Sequence, residues 1–310
     1  MKRILILNLA IFSTALTFGQ ASDTAAFVDE NVYIEDKNAI EETFHSTRII
    51  NGHSIETLEK GMLEFRIEHR FGDMAGTNGG AQNWFGFDNA ADIRFAFEYG
   101  LTKNFMIGLG RSKGSGPQND GIGSPYRSLI DGFAKYRLLR QRKDGMPVSM
   151  SVIGATSLTY MKASPDISRI DHFPKFAHRM AYATQLNVAR KFGSRLSLAL
   201  MPTLVYSNYV AANDVNALFS LGGAIKFNMT KKVALIVEYY QNIHGNDVRQ
   251  NNTNSLGVAV EWVTFGHNFT INLTNSKGFG ETQFIPYTFE NWSKGQFRLG
   301  FCISRKFTRG

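Results

Sequence analysis

The chain of 310 residues carries a formal net charge of +8, but much of the excess sits at both termini and in short turns, with no basic run, zinc spacing or aromatic RNA-binding motif beside it. No nucleic-acid partner is expected. Its single cysteine, Cys302, excludes an internal disulfide, so stability has to come from the sheet itself. The 25 Phe, 11 Tyr and 29 Gly suit many aromatic-rich strands joined by glycine-containing turns.

Met1-Lys2-Arg3 precedes an apolar run from Ile4 to Phe18 that ends at the small residue Gly19. The pattern predicts a secretory signal peptide over residues 1–19, cleaved after Gly19 or, as the alternative, after Ala21. A retained anchor helix is the competing reading. No Cys follows the run, which argues against a lipid-modified N-terminus. Beyond it no stretch of about 18 uncharged apolar residues occurs, so no transmembrane helix is expected. Residues 20–59 are irregular and mildly acidic and read as a periplasmic N-terminal segment; residues 60–310 read as one domain.

That domain alternates. Leu63, Phe65, Ile67 and Phe71 share one face of a strand whose other face carries Glu64, Arg66, Glu68 and Arg70. The split recurs in Ile93, Phe95, Phe97 and Tyr99 against Asp92, Arg94 and Glu98, and in Ile130, Ala134, Tyr136 and Leu138 against Asp131, Lys135 and Arg137. It returns in Met180, Tyr182, Leu186 and Val188 against Arg179, Gln185 and Asn187. Val233, Leu235, Val237 and Tyr239 oppose Glu238, and Phe297, Leu299, Phe301 and Ile303 oppose Arg298 and Ser304. Segments near 105–111, 148–160, 196–206, 217–227, 256–263 and 268–274 bring the expectation to about twelve strands.

The connections alternate too. Long ones fall near 72–90, 112–127, 162–176, 207–216, 241–254 and 275–294, with short turns between them at 100–104, 139–146, 191–195, 228–232 and 264–267. A soluble sandwich has no reason to put a short turn at every second connection, whereas a transmembrane barrel does. The expected fold is all-β: an antiparallel transmembrane β-barrel of about twelve strands in a Gram-negative outer membrane, with short periplasmic turns and longer extracellular loops. Phe307 resembles the C-terminal aromatic by which such barrels are recognised for insertion, although Thr308-Arg309-Gly310 follow it.

The polar faces define the candidate lumen residues: Glu64, Arg66, Glu68, Arg70, Asp92, Arg94, Glu98, Asp131, Lys135, Arg137, Arg179, Glu238, Glu261 and Arg298. They suit either a closed lumen of mutually paired charges or the wall of a water-filled channel whose transverse field selects small polar solutes. Other interior positions are small, among them Gly108, Gly110, Ser149, Ser151, Ala183, Ala199, Gly222, Ala224, Gly257 and Ala259, and leave space against one wall. Residues 44–54 are the candidate occupant, as a plug; a flexible periplasmic tail is the competing reading.

Catalytic, cofactor-binding and metal-binding signatures are poor. Gly108-Leu109-Gly110 with Gly114 lacks the spacing and following helix of a phosphate loop, and the histidines at 45, 53, 69, 172, 178, 244 and 267 have no metal-ligand spacing. His178 or His244 with a loop serine keeps an outer-membrane lipid hydrolase as a third reading. The loops carry Trp84-Phe85-Gly86-Phe87, Phe173 with Phe176, and Phe284-Ile285-Pro286-Tyr287 with Trp292. Exposed, these aromatics suit a sugar or surface partner; otherwise they form an interfacial girdle or an inward-folded lid.

Thr43-Phe44-His45-Ser46-Thr47-Arg48-Ile49-Ile50-Asn51-Gly52-His53-Ser54, His69-Arg70-Phe71-Gly72, Tyr99-Gly100-Leu101-Thr102-Lys103-Asn104, Gly108-Leu109-Gly110-Arg111 and Pro202-Thr203-Leu204-Val205-Tyr206-Ser207-Asn208 are similar to a family of outer-membrane barrels of unknown function from Bacteroidota. The resemblance covers most of the mature chain and implies fold and location; it brings no reaction or ligand. The leading expectation is a passive or gated porin-like pore, or a binding barrel, for a small polar solute. The alternative is a structural or partner-binding barrel with a closed, salt-bridged lumen. Outer-membrane lipid and the barrel-insertion machinery are the expected partners.

Overall fold

Period-two alternation puts successive side chains on opposite faces of a strand. The computed structural model describes residues 38–40, 42–89, 92–114, 125–212, 214–243 and 252–308; the leader expected over 1–19 lies outside them. The strands are β1 (Leu63–Arg70), β2 (Asp92–Thr102), β3 (Phe105–Lys113), β4 (Ser128–Leu139), β5 (Ser149–Thr159) and β6 (Met180–Phe192). They continue as β7 (Leu196–Ser207), β8 (Ala217–Asn228), β9 (Val233–Ile243), β10 (Ser255–Thr264), β11 (His267–Thr274) and β12 (Arg298–Phe307). Each pairs antiparallel with its chain neighbours, and β12 returns to β1 in register from Leu63↔Phe307 to Arg70↔Gly300, closing the barrel. Closure leaves no strand edge unpaired.

The connections form two unlike rims. Residues 103–104, 140–148, 193–195, 229–232 and 265–266 make the short-turn rim, where β1 begins and β12 ends. The other, long-loop rim, where β1, β3, β5, β7, β9 and β11 end, carries the described residues 71–89, 114, 125–127, 160–179, 208–212, 214–216, 252–254 and 275–297.

Outward positions are apolar and exposed, with Phe97 at 54%, Leu109 at 61% and Ile271 at 61%. Inward positions around the barrel are polar and buried, among them Glu64, Arg66, Glu98, Lys135, Asn187 and Lys226. A soluble domain is built the other way round, and an apolar band of this extent needs lipid around it. Among the described residues no helix is long and apolar enough to cross a membrane; the strands do so. Buried apolar side chains gather inside the barrel, where Phe44, Ile49, Ile50 and Ile55 meet Ala199, Met201, Ile236 and Tyr240, with Phe284 and Ile285.

The occluded lumen as candidate functional site

Alternation aims four charged residues of β1 inward, and each finds partners. Arg66 donates to Glu64 at 2.6 Å and lies 3.6 Å from Glu98. Arg94 bridges Glu68 at 2.5 Å and Asp131 at 2.6 Å, in space that Gly110 leaves open. Lys226 pairs with Glu261 at 3.0 Å, while Arg298 reaches Glu290 at 3.0 Å and Asp92 at 3.8 Å. Removing one partner of a buried pair strands the other charge, which costs about 3–5 kcal/mol. Arg94→Leu abandons both Glu68 and Asp131. Its urea unfolding midpoint is expected to fall by a corresponding amount, read from the heat-modifiable gel mobility of the folded barrel; an unchanged midpoint would contradict it.

Residues 42–58 lie within the barrel as a narrow hairpin. Ile49 N–H donates to the Gly52 carbonyl at 2.9 Å, and Ser54 N–H to that of Thr47 at 3.0 Å. At its tip Glu238 accepts the N–H groups of Ile50 at 3.1 Å, Asn51 at 2.8 Å and Gly52 at 3.2 Å. Nearer its base Lys135 Nζ donates to the carbonyls of Thr47 at 2.7 Å, Ser54 at 3.0 Å and Glu56 at 3.0 Å. Gln185 and Asn187 both donate to the His53 carbonyl, at 3.0 and 2.8 Å. Thr47 Oγ1 donates to Glu98 at 2.6 Å, and Arg137 pairs with Glu56 at 2.7 Å.

The connection between β11 and β12 fills the lumen from the long-loop rim. Arg70 donates to the carbonyls of Ser276, at 2.9 Å, and Gly278. A single helical turn, Glu281–Phe284, follows, and Thr282 meets Ser157 of β5 at 3.0 Å. Phe284 packs edge-on against Tyr240 at 4.9 Å between centroids. The hairpin and this loop touch each other: Arg48 donates to the Phe279 carbonyl at 3.1 Å and His53 N–H to Glu281 at 3.0 Å.

His53 is fully buried at that meeting point, its ring 4.3 Å from Phe133, and Nε2 faces an Arg48 donor at 3.1 Å. A guanidinium offers no lone pair, so Nε2 accepts and the ring is neutral. Burial, then the positive charges of Arg48 and Lys135, hold its pKa well below the ordinary histidine value. Released into water, the ring would titrate near about 6.5. Release therefore takes up a proton, and the inserted state loses stability as pH falls below about 6.5. Protease cleavage within residues 42–58 should accelerate from about pH 7 to about pH 5 in wild type and stay flat in His53→Gln; equal profiles would refute the assignment.

The structure brings together Glu64, Arg66, Glu98, Lys135, Arg137 and Glu238 around the hairpin, and Arg70, Asp92 and Arg298 around the loop. Glu68, Arg94 and Asp131 form their own group, as does Glu261 with Lys226. Arg179 is different. Strand parity put it on the interior face of β6, but it ends a short 3-10 turn, Phe176–Arg179, ahead of the strand, donating to the Met161 carbonyl and lying over Phe173. The small wall residues divide their space between two uses: Gly257 faces Ile50 of the hairpin, while Gly108 and Gly222 make room for Phe133 and Tyr240 of the wall itself. Of the loop aromatics, Phe284 and Tyr287 are buried, as is Ile285 between them, whereas Trp84 is 65% exposed. His178 stacks on Tyr209 at 4.7 Å, and His244 lies outside the described residues. Among the described residues no group of three or more His, Cys, Asp or Glu is placed to hold a metal ion. A cavity of about 280 Å³ remains at the short-turn rim, lined in part by Glu42, His45, Glu59, Arg140 and Lys306.

A closed antiparallel sheet with an apolar outside and a charged inside defines a membrane-spanning β-barrel. The chain belongs to the family DUF5777, a membrane-bound beta-barrel domain, whose model matches residues 44–307. The matched span includes most of the inner hairpin along with all twelve strands. Comparison with curated protein sequences gives no match. Among solved structures the chain is similar to the KdgM porin, with 10% identity over 79% of this chain and 99% of the porin and a TM-score of 0.46. It is also similar to the NanC porin, at 8% identity, 80% and 100% coverage and a TM-score of 0.45. An outer-membrane channel of Pseudomonas putida F1 follows at 14% identity, 82% and 98% coverage and a TM-score of 0.45.

Proposed function

We propose that the chain is an outer-membrane pore for small polar solutes, closed at rest by residues 42–58 and the loop 275–290. Export by residues 1–19, a Bacteroidota origin, insertion by the barrel machinery and contact with outer-membrane lipid belong to the same reading, with the short-turn rim in the periplasm. The observation that carries it is the ionic wall: Glu238, Lys135, Glu98 and Arg66 all face the hairpin. A permanently filled interior would be served better by apolar side chains, because burying a charge is costly. A lumen that floods when its occupant leaves is served by charges, which water then solvates. In planar bilayers the full chain is expected to show rare stepwise openings, and removal of residues 42–58 to make them frequent. The second reading, a barrel that never opens, is favoured by the pairs Arg94 with Glu68 and Asp131, which need no occupant. It predicts no steps in either protein, and that result would replace the first reading.

A further inference from the structure

Beside its side-chain contacts at Ser46, Thr47, Asn51 and Glu56, the wall holds its occupant by the main chain. Glu238 of β9 accepts three N–H groups, Lys135 of β4 donates to three carbonyls, and Gln185 and Asn187 of β6 converge on a seventh peptide group, the His53 carbonyl. Both charged residues are fully buried, and among the described residues neither has an ion-pair partner. Two groups of opposite charge type thus sit on well-separated strands of one lumen, each hydrogen-bonded to peptide groups rather than to a direct ionic partner. β4 and β9 stand five strands apart in a ring of twelve, so an acceptor wall faces a donor wall across the bore. Every peptide carries these groups whatever its side chains, and main-chain hydrogen bonds are a general means of peptide capture. Among the tip side chains Asn51 alone meets polar wall groups, accepting from Arg70 and donating to Ser255 at 3.3 Å, while Gly52 passes Tyr240 and Ile50 lies over Gly257.

We infer that the lumen, once the hairpin has left, is a binding site for short peptides read through their amide groups, Glu238 taking N–H and Lys135 taking C=O. The hairpin is then a resident competitor for the solute. This deepens the gated-pore reading and rests on the hairpin being able to leave. A neutral saccharide presents hydroxyls rather than separate amide donors and carbonyl acceptors, and a monovalent ion presents neither.

The test uses the full chain carrying Ile50→Asp and Ile55→Asp, which puts two carboxylates into the apolar cluster of the hairpin and leaves the wall intact. If that variant fails to fold, Gly52→Val serves in its place. The probe is acetyl-tetraglycine-amide, which has peptide groups and no terminal charge; maltotriose is the control. The peptide is expected to interrupt the current at concentrations where maltotriose does not. Adding Glu238→Gln with Lys135→Met is expected to weaken that block by about tenfold or more. Equal action of peptide and sugar, or a block that survives loss of both charges, overturns the peptide site and leaves the pore standing. If no opened variant conducts, the pore reading falls, and calorimetric titration with the same peptide decides the site. Binding that disappears with the two charges then upholds it, and no binding overturns it.

Discussion

Glu238→Leu should expel the hairpin from the lumen. Leucine approximates the volume of the lost side chain but accepts nothing, so the N–H groups of Ile50, Asn51 and Gly52 lose their acceptor inside the barrel. Each buried donor left without a partner costs about 1–3 kcal/mol, so even partial relaxation leaves a penalty of several kcal/mol on the inserted state. A shift of about 3 kcal/mol changes the ratio of released to inserted protein by roughly a hundredfold. The chain supplies its own reporter. Its single cysteine, Cys302, is half-buried on the lumen side of β12, with Sγ 3.1 Å from an Arg66 nitrogen. Modification of Cys302 by a bulky cationic thiol reagent is expected to be slow in wild type and at least about tenfold faster in Glu238→Leu. Equal rates would mean that the three amide contacts do not hold the hairpin.

Gly52→Val should reach the same open state by a different physical route. A Cβ at this position would stand 1.9 Å from the Tyr240 hydroxyl oxygen and 2.9 Å from the ring carbon that bears it. Tyr240 has little room to yield. Its ring already occupies the space above Gly222, Phe284 meets it edge-on, and its hydroxyl lies 3.3 Å from Gln185. Overpacking of this severity costs about 1–3 kcal/mol or more, and it falls on the inserted hairpin rather than on the strands. Adding Tyr240→Ala removes the obstacle. The double variant should therefore be less reactive at Cys302 than Gly52→Val alone, a non-additivity expected only of residues in contact. A double variant as reactive as the single one would show that the clash is not what opens the barrel.

The strands and rims were legible because each strand of this barrel has two unlike faces. Glu64, Arg66, Glu68 and Arg70 can point only away from lipid, and the alternation of long and short connections fixes which strand ends share a rim. Apolar interior residues leave no such mark. Tyr239 and Tyr240 are adjacent and chemically identical, yet one lies on the lipid face and the other is fully buried against the hairpin. An aromatic side chain suits either side, so parity identified the charged wall and passed over Tyr240, Ile236 and Met201. Arg179 falls outside the strand because the alternation was extended one residue ahead of the start of β6, into a turn where Arg179 meets Phe173 and the Met161 carbonyl. The loop 275–290 was legible only as one of several readings, an inward-folded lid beside an interfacial girdle or an exposed patch, because its partner Arg70 lies more than 200 residues away in sequence and nothing local in Phe284-Ile285-Pro286-Tyr287 chooses among them.

The hairpin enters from the rim where β1 begins and β12 ends and the loop 275–290 from the opposite rim, and they meet at Arg48 with Phe279 and His53 with Glu281. A pull, a ligand or a protease acting from one compartment removes one half of the stopper and leaves the other seated. On the proposed reading the hairpin is then the moving half of the stopper and the loop the fixed half: departure of residues 42–58 opens the bore, and the loop, still held by Arg70 and Ser157, sets how wide it opens.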